Sequence, residues 1–282
     1  MSIWTTAVGA WGDSLCAYGN ICKLLADLGE EKANVVYFGL DQQICEFFKA
    51  QPNIDKVSWL KIEPPAVIGK YIQMANTDIP QWMEVTGLKE QLPELFPTHI
   101  TSKYHKELST ECNRDFSCAL PPCMGDWNEF LNKTGPFILL QPFSVQSCTY
   151  GDHWPYWKGA IDFMLESCPL PIVLAGEIPP KGSDAPDWFP FVEHKKVLNL
   201  IGQTRAMTDL LHIANRAQGI VTTCNALAYW AIIAKKPAVV TCNRIIKVRT
   251  PYYYNWLNYW NVLLDHEATL DEFEQAFISS FC

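Results

Sequence analysis

Along the first sixty positions the spacing of apolar residues switches back and forth between two periods. Ile3–Val8 reads as a buried strand. Residues 14–28 follow with Leu15, Ile21, Leu24, Leu25 and Leu28 at helical spacing, and Gly29 supplies the stop. A strand at 35–38, a helix at Gln42–Lys49 and a strand at 56–60 come next, the last two separated by the turn pair Pro52-Asn53. This β-α-β-α-β alternation predicts a parallel sheet covered by helices. From 63 to 133 the rhythm breaks, punctuated by Pro64, Pro65, Pro80, Pro93, Pro97, Pro121 and Pro122. A long irregular insert of this kind is usually functional or poorly ordered.

A second alternating block starts after Asn132-Lys133-Thr134-Gly135, the candidate linker. Strands are expected at 137–141, 172–175, 197–200, 220–222 and Ala238–Thr241. Helices are expected at 156–166, 207–217 and 226–234, with a last amphipathic one at Leu270–Phe281. The expected organisation is therefore an α/β chain of two Rossmann-like halves, 1–133 and 136–268. A C-terminal helix, 269–282, is expected to pack back on the first half. A length of 282 residues agrees with about two domains.

Composition narrows the class. Hydrophobic residues are 49% and charged residues 18%, which excludes a wholly disordered chain. No apolar run approaches the roughly 20 residues of a membrane span. The first ten residues lack the basic and apolar regions of a signal peptide. Eleven scattered cysteines, an odd number, do not resemble a disulfide framework and suit a reducing, cytoplasmic setting. Cys112, Cys118 and Cys123 with His105 contain no CxxC pair, and the histidines show no HxH or HExxH spacing. No metal is therefore expected.

The formal charge of −8 argues at first against phosphate-bearing ligands. Its distribution changes that picture. Between Leu210 and Leu264 there is no acidic residue, while Arg216, Lys235, Lys236, Arg244, Lys247 and Arg249 all fall there. Tyr252, Tyr253, Tyr254, Trp256, Tyr259 and Trp260 follow directly. Cations beside aromatics suit stacking on nucleic-acid bases, and equally suit sugars and diphosphates.

Three segments carry candidate chemistry. Gly12-Asp13-Ser14 joins the first strand to the first helix, where parallel-sheet proteins bind ligands. Read from the residues alone, Asp13 is either a functional carboxylate or a helix N-cap. Ser144 follows a strand directly, in position to donate to a phosphate or to be merely solvated. At Thr222-Thr223-Cys224-Asn225-Ala226 a strand turns into an apolar helix whose free amides form an anion site, with Asn225 as a possible cap.

Taken together, these segments resemble the ADP-heptose:lipopolysaccharide heptosyltransferase family, glycosyltransferase family 9. The matching pieces are 10–15 around the glycine-aspartate turn, 35–38, 51–57, 139–144, His153-Trp154-Pro155, 173–177, 199–204 and 220–237. The resemblance implies a GT-B architecture, two Rossmann-like domains facing a cleft, and metal-independent, inverting transfer from a nucleotide-diphosphate sugar, with no cofactor. It implies Asp13 as general base, with Trp11 and Gly12 beside it on the acceptor side. Ser144 and the amides of Asn225 and Ala226 would hold the diphosphate. Glu177 and the Gly202-Gln203-Thr204 turn would hold ribose and base. The sequence departs from the family's D-[TS]-G-x-x-H phosphate motif, with Cys224, Asn225, Ala226 and Tyr229 at those positions. Asp152 stands where many members have a lysine. The expected acceptor is a glycan or another hydroxyl compound. The alternatives are a modified nucleic-acid base, as in phage-type DNA modification, or a non-catalytic nucleotide-sugar-binding protein of the same fold.

Overall fold

The structure, a computed structural model, describes residues 3–8, 10–39, 41–61, 116–144, 153–178, 192–242 and 262–282. Most of the Pro-punctuated insert lies outside these residues. So do His105, Cys112, Asp152 and the basic and aromatic positions from Arg244 to Trp260. The chain divides into two compact units, Met1–Pro121 and Pro122–Cys282. The division falls before the expected linker, which instead completes a helix, Asn128–Thr134.

In the first unit, β1 (Ile3–Val8), β2 (Ala33–Gly39) and β3 (Ile54–Lys61) form a parallel sheet with β2 in the middle. The connections are α1 (Trp11–Leu28) and α2 (Gln42–Lys49). Their inward faces carry Leu15, Tyr18, Ile21, Leu24 and Leu25 from α1, and Ile44, Phe47 and Phe48 from α2. Gly29 ends α1 in the left-handed conformation, φ 66°, where a side chain would be strained. The segment returning from the insert docks here. Buried Gln51 donates to and accepts from the backbone of Ala119 (2.8 and 2.9 Å), and Phe116 packs edge-on against Tyr18.

The second unit contains α3 (Asn128–Thr134), β4 (Ile138–Gln141), α4 (Trp157–Ser167), β5 (Ile172–Leu174) and β6 (Val197–Asn199). It continues with α5 (Met207–Arg216), β7 (Gly219–Thr223), α6 (Ala226–Ile233), β8 (Ala238–Thr241), β9 (Val262–Leu264) and α7 (Leu270–Phe281). Every pairing is parallel, in the order β6-β5-β4-β7-β8-β9. β4, β7 and β8 are buried along their whole length, as expected of strands covered on both faces. All eight residues of α6 are buried too.

The C-terminal helix, expected on the first half, belongs instead to this unit. α7 packs on α4, β8 and β9. Phe273 and Phe277 enter the core beside Trp154, Trp157 and Met164. Burial of such rings contributes about 2–3 kcal/mol each, which is why an amphipathic helix settles where the unit offers an apolar face. Phe281 occupies the place a Cβ on Gly219 would take, so a side chain there would have to displace the ring. Among the described residues no helix is long and apolar enough to cross a membrane.

Candidate functional site

The strand order of the second unit fixes where its loops converge. The chain winds outward from β4 to β5 and β6, then returns to start again at β7 on the other side of β4. At this switch point the connections leave in opposite directions and open a crevice outside the carboxyl ends of β4 and β7. Gln141 ends β4, and Thr222, Thr223 and Asn225 follow from β7. Asn225 is the N-cap of α6, its Oδ1 accepting from the amides of Leu227 (2.8 Å) and Ala228 (3.4 Å). Its Nδ2 donates to Gln141 Oε1 (3.0 Å) and to Thr222 Oγ1 (3.2 Å), and the Thr222 hydroxyl donates to the Gln141 carbonyl (3.1 Å). The cap therefore occupies the amides of Leu227 and Ala228. The amides of Asn225 and Ala226 make no hydrogen bond among the described residues.

Neighbouring loops join this network. Gly176, after β5, lies against the Gln141 side chain, and its φ of 142° disfavours any side chain. The Gly202 amide donates to the Gly176 carbonyl (2.8 Å), and Gly202 has φ 71° with Ile178 packed over it. Glu177 and Gln203 are exposed beside them, Thr204 is half-buried, and Gln203 Nε2 donates to the Asn199 carbonyl (2.8 Å). Ser144 is half-buried three residues after Gln141. The structure thus brings Ser144, Glu177, Gly202, Gln203, Thr204, Asn225 and Ala226 to one edge of one sheet. Cys224 and Tyr229, the positions that depart from the phosphate motif, are only 4% and 6% exposed and sit within the apolar body of the unit.

In the first unit, α1 starts at Trp11, earlier than its apolar period suggests. Asp13 is consequently not the N-cap but the third helical residue, and its Oδ2 accepts from the amide of Ala10 (3.1 Å). This first turn stands at the carboxyl end of β1. Gly12 and Asp13 are half-buried, whereas Trp11 is buried against Phe47 and donates Nε1 to Asp41 Oδ2 (2.8 Å). Trp11 thus packs into the body of the unit and braces the turn. Burial pushes the Tyr37 hydroxyl far above the usual phenol range. The charges of Asp41, Cys45 and Asp13 push it the same way.

No protein-family model and no curated protein matches the sequence. Solved structures do. A family 9 glycosyltransferase from Veillonella parvula superposes with a TM-score of 0.61 at 15% identity, covering 99% of this chain and 88% of that one. The E. coli ADP-heptose lipopolysaccharide heptosyltransferase II gives 0.60 at 13% identity, over 100% and 98% of the two chains. E. coli heptosyltransferase WaaC with ADP gives 0.58 at 12% identity, over 100% of both. This chain has the GT-B fold. At these identities the likeness is one of architecture.

On that GT-B framework one buried carboxylate has no counterpart in the sequence reading. Asp209, in the first turn of α5, is fully buried and accepts three backbone amides, from Met124 (2.7 Å), Gly125 (3.1 Å) and Arg205 (2.9 Å). It ties the beginning of the second unit to the loop that follows Gly202–Thr204. An acid three residues into an apolar-periodic segment was the available signal. Three of the six basic positions fall among the described residues. Arg216, Lys235 and Lys236 precede β7 and β8 and so lie at the amino edge of the sheet, opposite the crevice. Arg216 donates to Asn132 Oδ1 and Lys236 to the Ala217 carbonyl. Of the cysteine group, Cys118 has its thiol pushed up to about 12, chiefly by burial, and Cys123 donates to the Gly125 carbonyl.

Proposed function

We propose that the chain is a cytoplasmic glycosyltransferase that moves a sugar from a nucleotide-diphosphate sugar to an acceptor hydroxyl, by a metal-independent, inverting route. One observation carries the reading: Ser144, Glu177, Gly202–Thr204 and Asn225–Ala226 converge at the switch-point edge of the six-stranded sheet, with the Asn225 and Ala226 amides unpartnered among the described residues. Such amides at a helix start bind phosphate oxygens whatever the side chains are. The altered motif therefore leaves the anion-binding backbone in place.

In the proposed reaction the acceptor oxygen attacks the anomeric carbon as the bond from that carbon to the diphosphate oxygen breaks. Asp13 takes the acceptor's proton, and its position in a helical turn braced at Ala10 and, through Trp11, at Asp41 supports that role. The nucleoside diphosphate departs with its charge spread onto the Asn225 and Ala226 N–H donors and Ser144. Glu177 and the Gly202–Thr204 turn hold ribose and base. This assigns the leaving group's charge to N–H and O–H donors rather than to a divalent cation. A glycan-type hydroxyl is the favoured acceptor. A nucleic-acid base is the second reading; of its basic cluster, Arg216, Lys235 and Lys236 stand at the opposite edge of the sheet, and the remaining cations and the aromatics lie outside the described residues.

The test is Asp13→Asn, assayed with a panel of nucleotide sugars. Transfer should fall by about 10²–10⁴-fold, with nucleoside diphosphate affinity unchanged. A fully active variant overturns the assignment of the base.

A further inference from the structure

Gln141 is 7% exposed and ends the strand that forms one wall of the switch-point crevice. Its orientation follows from its neighbours. The Leu227 and Ala228 amides are donors, so the Asn225 atom capping them must be Oδ1, which leaves Nδ2 to face Gln141. Gln141 must then present Oε1 to Nδ2, at 3.0 Å. The two hydrogens of Gln141 Nε2 are thereby directed away from the network. Nε2 makes no hydrogen bond among the described residues and is not one of the buried atoms left without a partner, so it remains open to solvent and to a ligand. The amides of Asn225 and Ala226, at the start of the helix whose cap holds Gln141, also make no hydrogen bond among the described residues.

We infer that Gln141 is a diphosphate-binding residue, its Nε2 donating to a phosphate oxygen of the nucleotide sugar alongside the Asn225 and Ala226 amides. The inference rests on the proposed function and adds a side chain to that site. A phosphate oxygen supplies the acceptor that Nε2 lacks and makes the bond charge-assisted. Gly176, at φ 142°, borders the same carboxamide at ordinary contact distance. The chain thus meets phosphate with a neutral carboxamide held in register by the helix cap.

Gln141→Glu separates this role from a packing role. The carboxylate still accepts from Asn225 Nδ2 but sets an oxygen against the phosphate. Titrations with ADP, GDP, UDP, CDP and TDP, and with the matching nucleosides, read the effect. The dissociation constant of whichever diphosphate the wild type binds should rise about tenfold or more, as for loss of a hydrogen bond to a charged group. Nucleoside affinity should stay within about twofold, and the diphosphate loss should diminish as pH falls toward the ordinary glutamate range of about 4.3. Gln141→Met, which removes the donors at similar length, carries the same test if the glutamate variant does not fold. Equal weakening of diphosphate and nucleoside, or no weakening, overturns the inference alone. A wild-type chain that binds no nucleoside diphosphate overturns the proposed function and this inference with it.

Discussion

At the scale of single residues, a few buried polar side chains hold the loops of the second unit together, and Asp209 holds the most backbone. Its two oxygens satisfy three amides from segments 80 or more residues apart and from its own helix start. Removing them leaves donors buried with no acceptor, which costs more than the bonds themselves are worth. Asp209→Ala should therefore lower the unfolding free energy by about 3 kcal/mol. Asp209→Asn, which keeps one carbonyl oxygen, should cost less, and urea midpoints compare the two. Asn225 and Gln141 work by the same logic at the crevice, where the donors left over face outward. Asp13, the proposed base, differs in that its first turn is braced by backbone and by a buried tryptophan.

At the scale of elements, helix ends decide more than helix interiors. α1 begins at Trp11 because the Asp13 carboxylate turns back to the Ala10 amide. That shift moves Asp13 from cap to third position without altering the apolar face read from Leu15 to Leu25. α7 is bounded by a capping box. Thr269 Oγ1 accepts from the Glu272 amide (3.3 Å), and Glu272 Oε2 accepts from the Thr269 amide (2.7 Å) and hydroxyl. The hydrogen bonds from Thr269 hold the Glu272 carboxyl below its ordinary value. A depressed carboxylate stabilises the fold above its unfolded pKa, and that contribution is lost as pH falls through the folded value. Glu272→Gln should accordingly lower the melting temperature near pH 7, and the difference from wild type should begin to shrink as pH falls below about 4.3 and go on shrinking at lower pH. Melting curves from pH 3 to 7 check it.

At the scale of the whole molecule, the residues proposed to hold the nucleotide all belong to the second unit, so ligand binding should stabilise that unit first. A saturating nucleoside diphosphate, at 100 times its dissociation constant, should add about 2.7 kcal/mol. Hydrogen exchange should slow around Gln141, Gly176, Gly202 and Asn225, and protection appearing only in β1–β3 would contradict the assignment. The alternation of periods was enough to read the parallel α/β class, most helices and strands, and the loops at which chemistry would sit. The reason is that a buried strand and a half-buried helix impose different apolar spacings on the chain. β9 and α3 escaped that reading: α3 runs into the polar stretch expected as a linker, and β9 follows closely on the aromatic run ending at Trp260. Tertiary structure alone decided the rest. The home of α7 depended on which unit offered a matching apolar face. The sidedness of Arg216, Lys235 and Lys236 depended on strand direction. The roles of Gln141 and Asp209 depended on partners dozens of residues away, and no local pattern in a sequence encodes which distant amide a side chain will meet.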